Sequence, residues 1–114
     1  MTNSTEVTST RALVIDVDGG CSFKFIDGYD DLSDVVGGRF GFFGGNGEWT
    51  GYVDDEGKLK GLPANVTAVA LALRLGWHSD DWFYGPVVFF GPEDGEGWFT
   101  EVSEWVLDHV RLGR

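Results

Sequence analysis

Two aromatic, β-prone runs, Arg39 to Phe43 and Glu48 to Val53, flank Gly44-Gly45-Asn46-Gly47, and this juxtaposition constrains the chain more than any other feature. Asn followed by Gly readily takes the left-handed dihedral angles of a tight reversal, so the two runs pair antiparallel as a hairpin. A second reversal at Asp54-Asp55-Glu56-Gly57 leads into a short extended piece, Lys58 to Lys60, and completes a meander. Gly41, Gly44, Gly45, Gly47 and Gly51 weaken plain ladder positions and predict bulges, curvature or close backbone approaches.

Around this meander the pattern alternates between strand and helix signals. Ala12 to Val17 is a β-rich run stopped by Gly19 and Gly20 and reads as a central strand, and Ser22 to Ile26 reads as a short second one. Tyr29 to Val36 places Leu32, Val35 and Val36 at helical spacing, with Asp30 and Asp31 in the first turn, where exposed amides favour carboxylates. Gly37 and Gly38 end that short helix. From Pro63 the period becomes 3.6 residues: Asn65 caps a helix whose stripe is Val66, Val69, Ala70 and Leu73, with Leu75 before a terminating Gly76. Val87-Val88-Phe89-Phe90, entered from Gly85-Pro86, suits an interior strand. Thr100 caps a last helix with Val102, Trp105, Val106, His109 and Val110 on one side, Glu101 in its first turn and Arg111 in its last.

The expected architecture is therefore α+β: a single mixed or mostly antiparallel sheet with two main helices, Asn65 to Gly76 and Thr100 to Arg111, and a short additional helix. The 114 residues, 42% of them hydrophobic, suffice for one domain with a modest core. Residues 1–10, rich in Thr and Ser, read as a disordered leader, and 11–114 as a single compact domain.

Charge limits what such a domain binds. Eight Lys and Arg against nineteen Asp and Glu give a net charge of -11, which repels phosphate backbones and anionic membrane surfaces and excludes a generic nucleic-acid binder. The charge is uneven: residues 1–57 carry eleven acids and three bases, or -8, and residues 58–114 carry eight acids and five bases, or -3. Cys21 is the only cysteine, so no internal disulfide staples the fold. With no basic, apolar export signal at the start and no window of membrane-spanning length, the expected location is cytoplasmic.

Three stretches, Val36-Gly37-Gly38, Val53-Asp54-Asp55-Glu56-Gly57-Lys58-Leu59-Lys60-Gly61-Leu62-Pro63-Ala64-Asn65 and Gly85-Pro86-Val87-Val88, together resemble the DUF3846 family. These are small domains of unknown function from phage, plasmid and bacterial sequences. The likeness spans most of residues 12–110, and its centre is the acidic turn followed by Lys-Leu-Lys-Gly-Leu-Pro and Asn65. The family often has Asn at the position of Asp54 and Arg at the position of Val66. The resemblance implies a mobile-element setting, with the host cytoplasm as the location of a phage-encoded copy and a host protein as partner, in an accessory, inhibitory or anti-defence role; it implies no reaction.

Two groups of residues stand out as candidate sites. Asp16, Asp18, Asp27, Asp30, Asp31 and Asp34 put six carboxylates around two short strands and a helix, and the last four form the candidate partner-binding surface for a basic protein, with an exposed Trp as anchor. Lys58, Lys60 and the helix start at Asn65 form a candidate anion-binding corner, the one concentration of positive potential in an acidic chain. Direct nucleic-acid and membrane binding are not expected; a homo-oligomer through unpaired sheet edges is an open alternative.

Other chemistries have weaker support. Asp16-Val17-Asp18-Gly19 is similar to the first motif of the haloacid dehalogenase-like phosphotransferases, which implies a magnesium-dependent phosphoryl hydrolase with Lys58 or Lys60 and Asp80-Asp81 in the remaining roles. Gly20 stands where that family has Thr, and its doubly wound pattern is missing. Cys21, His78 and His109 are too few and scattered for a zinc signature, so neither metal nor cofactor is expected. His109 reads as a packed imidazole rather than a base. The preferred reading is a small acidic protein-binding module. Its alternatives are a DNA-mimicking inhibitor of a host DNA-binding protein, the hydrolase, and a self-associating structural protein.

Overall fold

The computed structural model describes residues 9–44, 47–77, 81–93 and 99–112. Its elements run β1 (Thr10–Ile15), β2 (Cys21–Ile26), α1 (Gly28–Val36), β3 (Phe40–Gly44), β4 (Thr50–Asp54), α2 (Val66–Arg74), β5 (Val87–Phe90) and α3 (Glu104–Leu112). The strands form one sheet in the order β2-β1-β5-β4-β3, and every adjacent pair is antiparallel. The fold is α+β, a five-stranded antiparallel sheet with three helices. Thr10, assigned to the leader by composition, opens β1, and residues 1–8 lie outside the described residues.

The central strand is β5, whose four residues are all buried because they serve two cores at once. Val87 and Phe89 face a core built with Leu13, Ile15, Trp49 and the buried sides of α2 and α3. Val88 and Phe90 face a second core of Ala12, Val14, Ile26 and the α1 residues Leu32 and Val36. A continuous apolar run is what a strand covered on both faces requires. On α1, Gly37 ends the helix with a φ of 97° and donates its amide to the Ser33 carbonyl, a left-handed cap that glycine takes without strain.

The expected hairpin is present: Phe40 lies opposite Asp54 and Phe43 opposite Gly51, with residues 45 and 46 of its turn outside the described residues. Gly51 marks a close approach, not a bulge, since a Cβ there would come within 2.2 Å of the Phe43 ring.

Four expectations are corrected. Lys58 to Lys60 is not an extended arm: Lys60 N donates to Glu56 O and Leu62 N to Gly57 O, so the segment winds into a turn, and β4 pairs with β5 instead. The first strand stops at Ile15, because Asp16 N donates to Gly20 O and Gly19 N to Asp16 O in the loop that reverses into β2. The buried stripe of α2 is Ala68, Val69, Leu71 and Ala72, while Val66 and Leu73 are exposed; the segment is apolar at nearly every position, so periodicity alone does not fix its phase. The last helix begins at Glu104, not Thr100. Gly91 N donates to Thr100 O and Val102 N to Arg11 O, which holds residues 100–102 against the sheet, and Ser103 caps the helix by accepting from Val106 N. Val106 and Leu107 are buried on α3, whereas Trp105 lies toward solvent against the half-buried His109, ring centroids 4.6 Å apart.

Candidate functional site

The acidic turn after β4 is organised around Asp54. Its carboxylate is fully buried: Oδ1 accepts from the Glu56 amide at 2.8 Å and Oδ2 from Lys60 Nζ at 2.7 Å. Burial alone would push this carboxyl up, but the hydrogen bonds from Lys60 and Glu56, with the lysine's charge, outweigh it and hold it below its ordinary value. Lys60 also donates to the Gly37 carbonyl, and so ties the turn to the end of α1.

Asn65 is fully buried at the start of α2. Its Oδ1 accepts from Ala68 N at 3.1 Å, the expected cap, while Nδ2 donates to Ile15 O at 2.8 Å and Gly85 O at 3.0 Å. The residues of the candidate anion corner thus have separate engagements: the Lys60 ammonium holds Asp54, Asn65 joins α2 to β1 and to the approach to β5, and only Lys58 is turned to an open pocket. That pocket encloses about 400 Å³ and is lined by Phe42 and Phe43 of β3, Asp54, Asp55 and Lys58 of the turn, and Trp77, Asp81, Trp82, Phe83 and Tyr84. Its floor is a packed ring cluster, with Phe83 centred 4.2 Å from Phe43 and 4.9 Å from Trp77.

The four candidate partner-binding acids share α1 and its entrance. Asp30 and Asp34 are exposed. Asp31 accepts from the Asp27 amide at 2.8 Å and so closes the first turn of the helix. Asp31 and Asp34 border a depression with Asp16 and Lys24, so the structure brings Asp16 to the same surface. Asp18 accepts from the Gly20 amide at 2.8 Å, so both acids of the phosphotransferase-like motif sit in an exposed reversal past the end of β1.

Sequence reasoning missed the aromatic shelf beside α1. Tyr29, 54% exposed, and Phe42, 56% exposed, frame a second pocket of about 400 Å³ completed by Phe40, Tyr52 and Glu93. Tyr29 stacks on Phe40 at 5.7 Å, and Tyr52 meets Phe40 and Phe42 edge-on at 5.5 and 5.6 Å. Burial, with the neighbouring Tyr29 and Glu93, raises the Tyr52 hydroxyl above its ordinary value. The readable signal was the alternation of Phe40 and Phe42 across from Tyr52, which places three rings on one face. Among the described residues, the exposed rings beside the acids are Tyr29 and Phe42, and Trp98 lies outside them. The exposed Trp82 belongs to the other pocket, and Trp105 to α3.

Among the described residues no three His, Cys, Asp or Glu side chains gather as a metal site, and no helix is long and apolar enough to cross a membrane. His78 and Asp80 lie outside the described residues. Cys21 is half-buried against the core, its Sγ 3.7 Å from the Gly19 carbonyl oxygen.

No match was found among curated proteins or among solved structures. The family model described as Domain of unknown function (DUF3846) matches residues 10–111, which includes the Asp54 turn, the Asn65 cap and β5, and the chain belongs to that family.

Proposed function

We propose that the domain is a protein-binding module that takes a basic partner on the α1 side of the sheet, with Asp27, Asp30, Asp31 and Asp34 as the electrostatic surface and the Tyr29–Phe42 shelf as the apolar anchor. The observation that carries this reading is that Tyr29, more than half exposed, stands on the same helix as the exposed Asp30 and Asp34 and opens onto a pocket whose one charged residue, among the described residues, is Glu93. A soluble domain gains nothing from leaving two large rings in water beside an acidic helix, whereas a partner with Arg or Lys side chains gains charge steering, cation–π contact and apolar burial together. The net charge of -11 sets the sign of that partner. The setting proposed with it, accessory or inhibitory and phage-derived, is what the resemblance implies. A DNA-mimicking inhibitor is a special case of the same surface, in which the basic partner is a DNA-binding channel.

Chemical-shift mapping with a deca-arginine peptide tests the reading. The expected result is shifts at Tyr29, Asp30, Asp34 and Phe42 that weaken with salt, with none from deca-glutamate or duplex DNA. Shifts confined to other surfaces would contradict it.

A further inference from the structure

The sheet has two edges, and they differ in a way that bears on recognition. At one edge, β2 carries Lys24 at its centre, and Arg11 lies over the Phe23 ring at 4.7 Å; a lysine in mid-strand is a common protection of an edge against pairing. At the other edge, β3 reads Phe-Gly-Phe-Phe-Gly, with no charge and no proline, and among the described residues no strand pairs with its far side. Such an edge presents a row of outward amides and carbonyls that pair readily with another chain.

The register says which groups those are. Asp55 N donates to Arg39 O at 2.8 Å, so Arg39 faces β4, and the antiparallel alternation turns Gly41 and Phe43 toward β4 as well. The backbone groups of Phe40 and Phe42 therefore point outward. Side chains alternate in the same way: Phe42 lies on the α1 face beside Tyr52, and Phe43 lies on the α2 face beside Trp77 and Phe83. The two pockets sit on opposite faces of this one strand, and Phe42 lines both.

We propose that β3 is the docking edge, and that a basic partner binds by adding an extended segment antiparallel or parallel to Phe40–Gly44, its successive side chains alternating between the Tyr29 pocket and the Trp82 pocket. This rests on the reading that the partner is basic and adds how it is held. Backbone pairing supplies register, and the alternating pockets supply selectivity. The sign of the occupant follows from the lining: with Asp54 and Lys60 paired to each other, Glu93, Asp81 and Asp55, the last 4.0 Å from the exposed Arg39, stand against Lys58 among the described residues. The aromatic walls suit the aliphatic stems and cationic heads of Arg and Lys.

The test uses a capped octapeptide alternating Arg and Val, its Glu-Val counterpart, and amide hydrogen exchange on the full chain. The Arg-Val peptide is expected to slow exchange at Phe42, and to leave Gly41 and Phe43, already turned to β4, unchanged. Phe42→Pro removes the outward amide and the ring without breaking the β4 ladder, whereas Phe42→Ala removes the ring alone, and the proline variant is expected to bind about tenfold more weakly than the alanine variant, the equivalent of one hydrogen bond. Phe42→Lys, which keeps that amide but adds repulsion, is a further variant expected to weaken binding. Salt-sensitive binding with no protection at Phe42 and no loss in Phe42→Pro beyond that of Phe42→Ala would overturn edge docking while leaving the basic-partner reading intact. Equal protection by the Glu-Val peptide would overturn the charge assignment in both. Concentration-dependent protection without peptide would mean that a second copy occupies the edge, and absence of binding by either peptide would overturn the proposal.

Discussion

The side-chain amide of Asn65 donates to the carbonyl oxygen of Ile15 at 2.8 Å, joining the first turn of α2 to the last residue of β1 across fifty residues of sequence. The same nitrogen reaches Gly85 O, and the side-chain oxygen caps Ala68 N, so one buried amide closes α2, β1 and the approach to β5 into a single corner. A carboxylate of the same shape would retain the cap and lose both donors.

Asn65→Ala is expected to lower unfolding stability by about 3 kcal/mol, the loss of a cap plus two buried carbonyls left without donors. Asn65→Asp is expected to be worse still, because a carboxylate oxygen would face the Ile15 and Gly85 carbonyls; at an exposed cap the two residues are equivalent. Urea denaturation of the three proteins decides this, and an Asp variant as stable as wild type would contradict the corner.

Asp54 and Lys60 give the molecule an acid-sensitive tie. A carboxyl whose folded-state value lies below its ordinary 3.8 contributes stability that is full above that value and lost as pH falls through the folded one. Asp54→Asn is expected to cost about 1 kcal/mol at neutral pH, a figure kept small by the partial exposure of Lys60, and to flatten the loss of stability below about pH 4. Thermal melts from pH 2.5 to 7 provide the check; parallel curves for both proteins would refute it.

Two glycines of the same turn separate steric from conformational demand. A Cβ at Gly57 would meet the Tyr84 carbonyl oxygen at 2.4 Å, whereas Gly61 has open space but a φ of 74°. Gly57→Ala is expected to cost about 3 kcal/mol or more through backbone displacement, and Gly61→Ala about 1 kcal/mol, with Gly61→Asn milder. Denaturation midpoints in the reverse order would show that the turn is built differently.

How much of this was legible in sequence depends on whether a segment's signal came from burial. The Val87–Phe90 run and the two runs of the hairpin reported real constraints, a strand covered on both faces and the antiparallel pairing of Phe40–Gly44 with Thr50–Asp54, and both were readable. Lys58-Leu59-Lys60 has strand-like alternation, but Leu59 is 88% exposed, so nothing enforces period two and the flanking Gly57 and Gly61 wind the segment into a turn. Thr100 is a good cap by type, but its own carbonyl already accepts from Gly91 N and the Val102 amide donates to Arg11 O, a tertiary fact invisible locally. The acids of α1 were found as a charge cluster. The shelf beside them was not, because Tyr29, Phe40 and Tyr52 come together only through helix packing and strand register.

Tyr52 reports on the shelf. Its hydroxyl is raised above the ordinary 10.0, so the neutral form is favoured in the fold, and its contribution to stability is present below that value and lost as pH rises through the folded one. Ultraviolet titration is expected to show one tyrosine ionising late, and Tyr52→Phe to remove that phase. A cationic occupant on the shelf is expected to bring Tyr52 back toward its ordinary value, and a phase unmoved by saturating Arg-Val peptide would place the occupant elsewhere.

The most direct measurement is the salt dependence of Arg-Val peptide affinity in wild type and in the double reversal Asp30→Lys/Asp34→Lys, two exposed acids whose replacement spares the Asp27–Asp31 turn. The prediction is an affinity that falls as ionic strength rises from about 0.05 to 0.3 M in wild type, and that is weaker and much less salt-dependent in the reversal, with both proteins folded at the temperature of the measurement. An affinity unchanged by both salt and reversal would contradict the claim that this acidic surface recruits a basic partner.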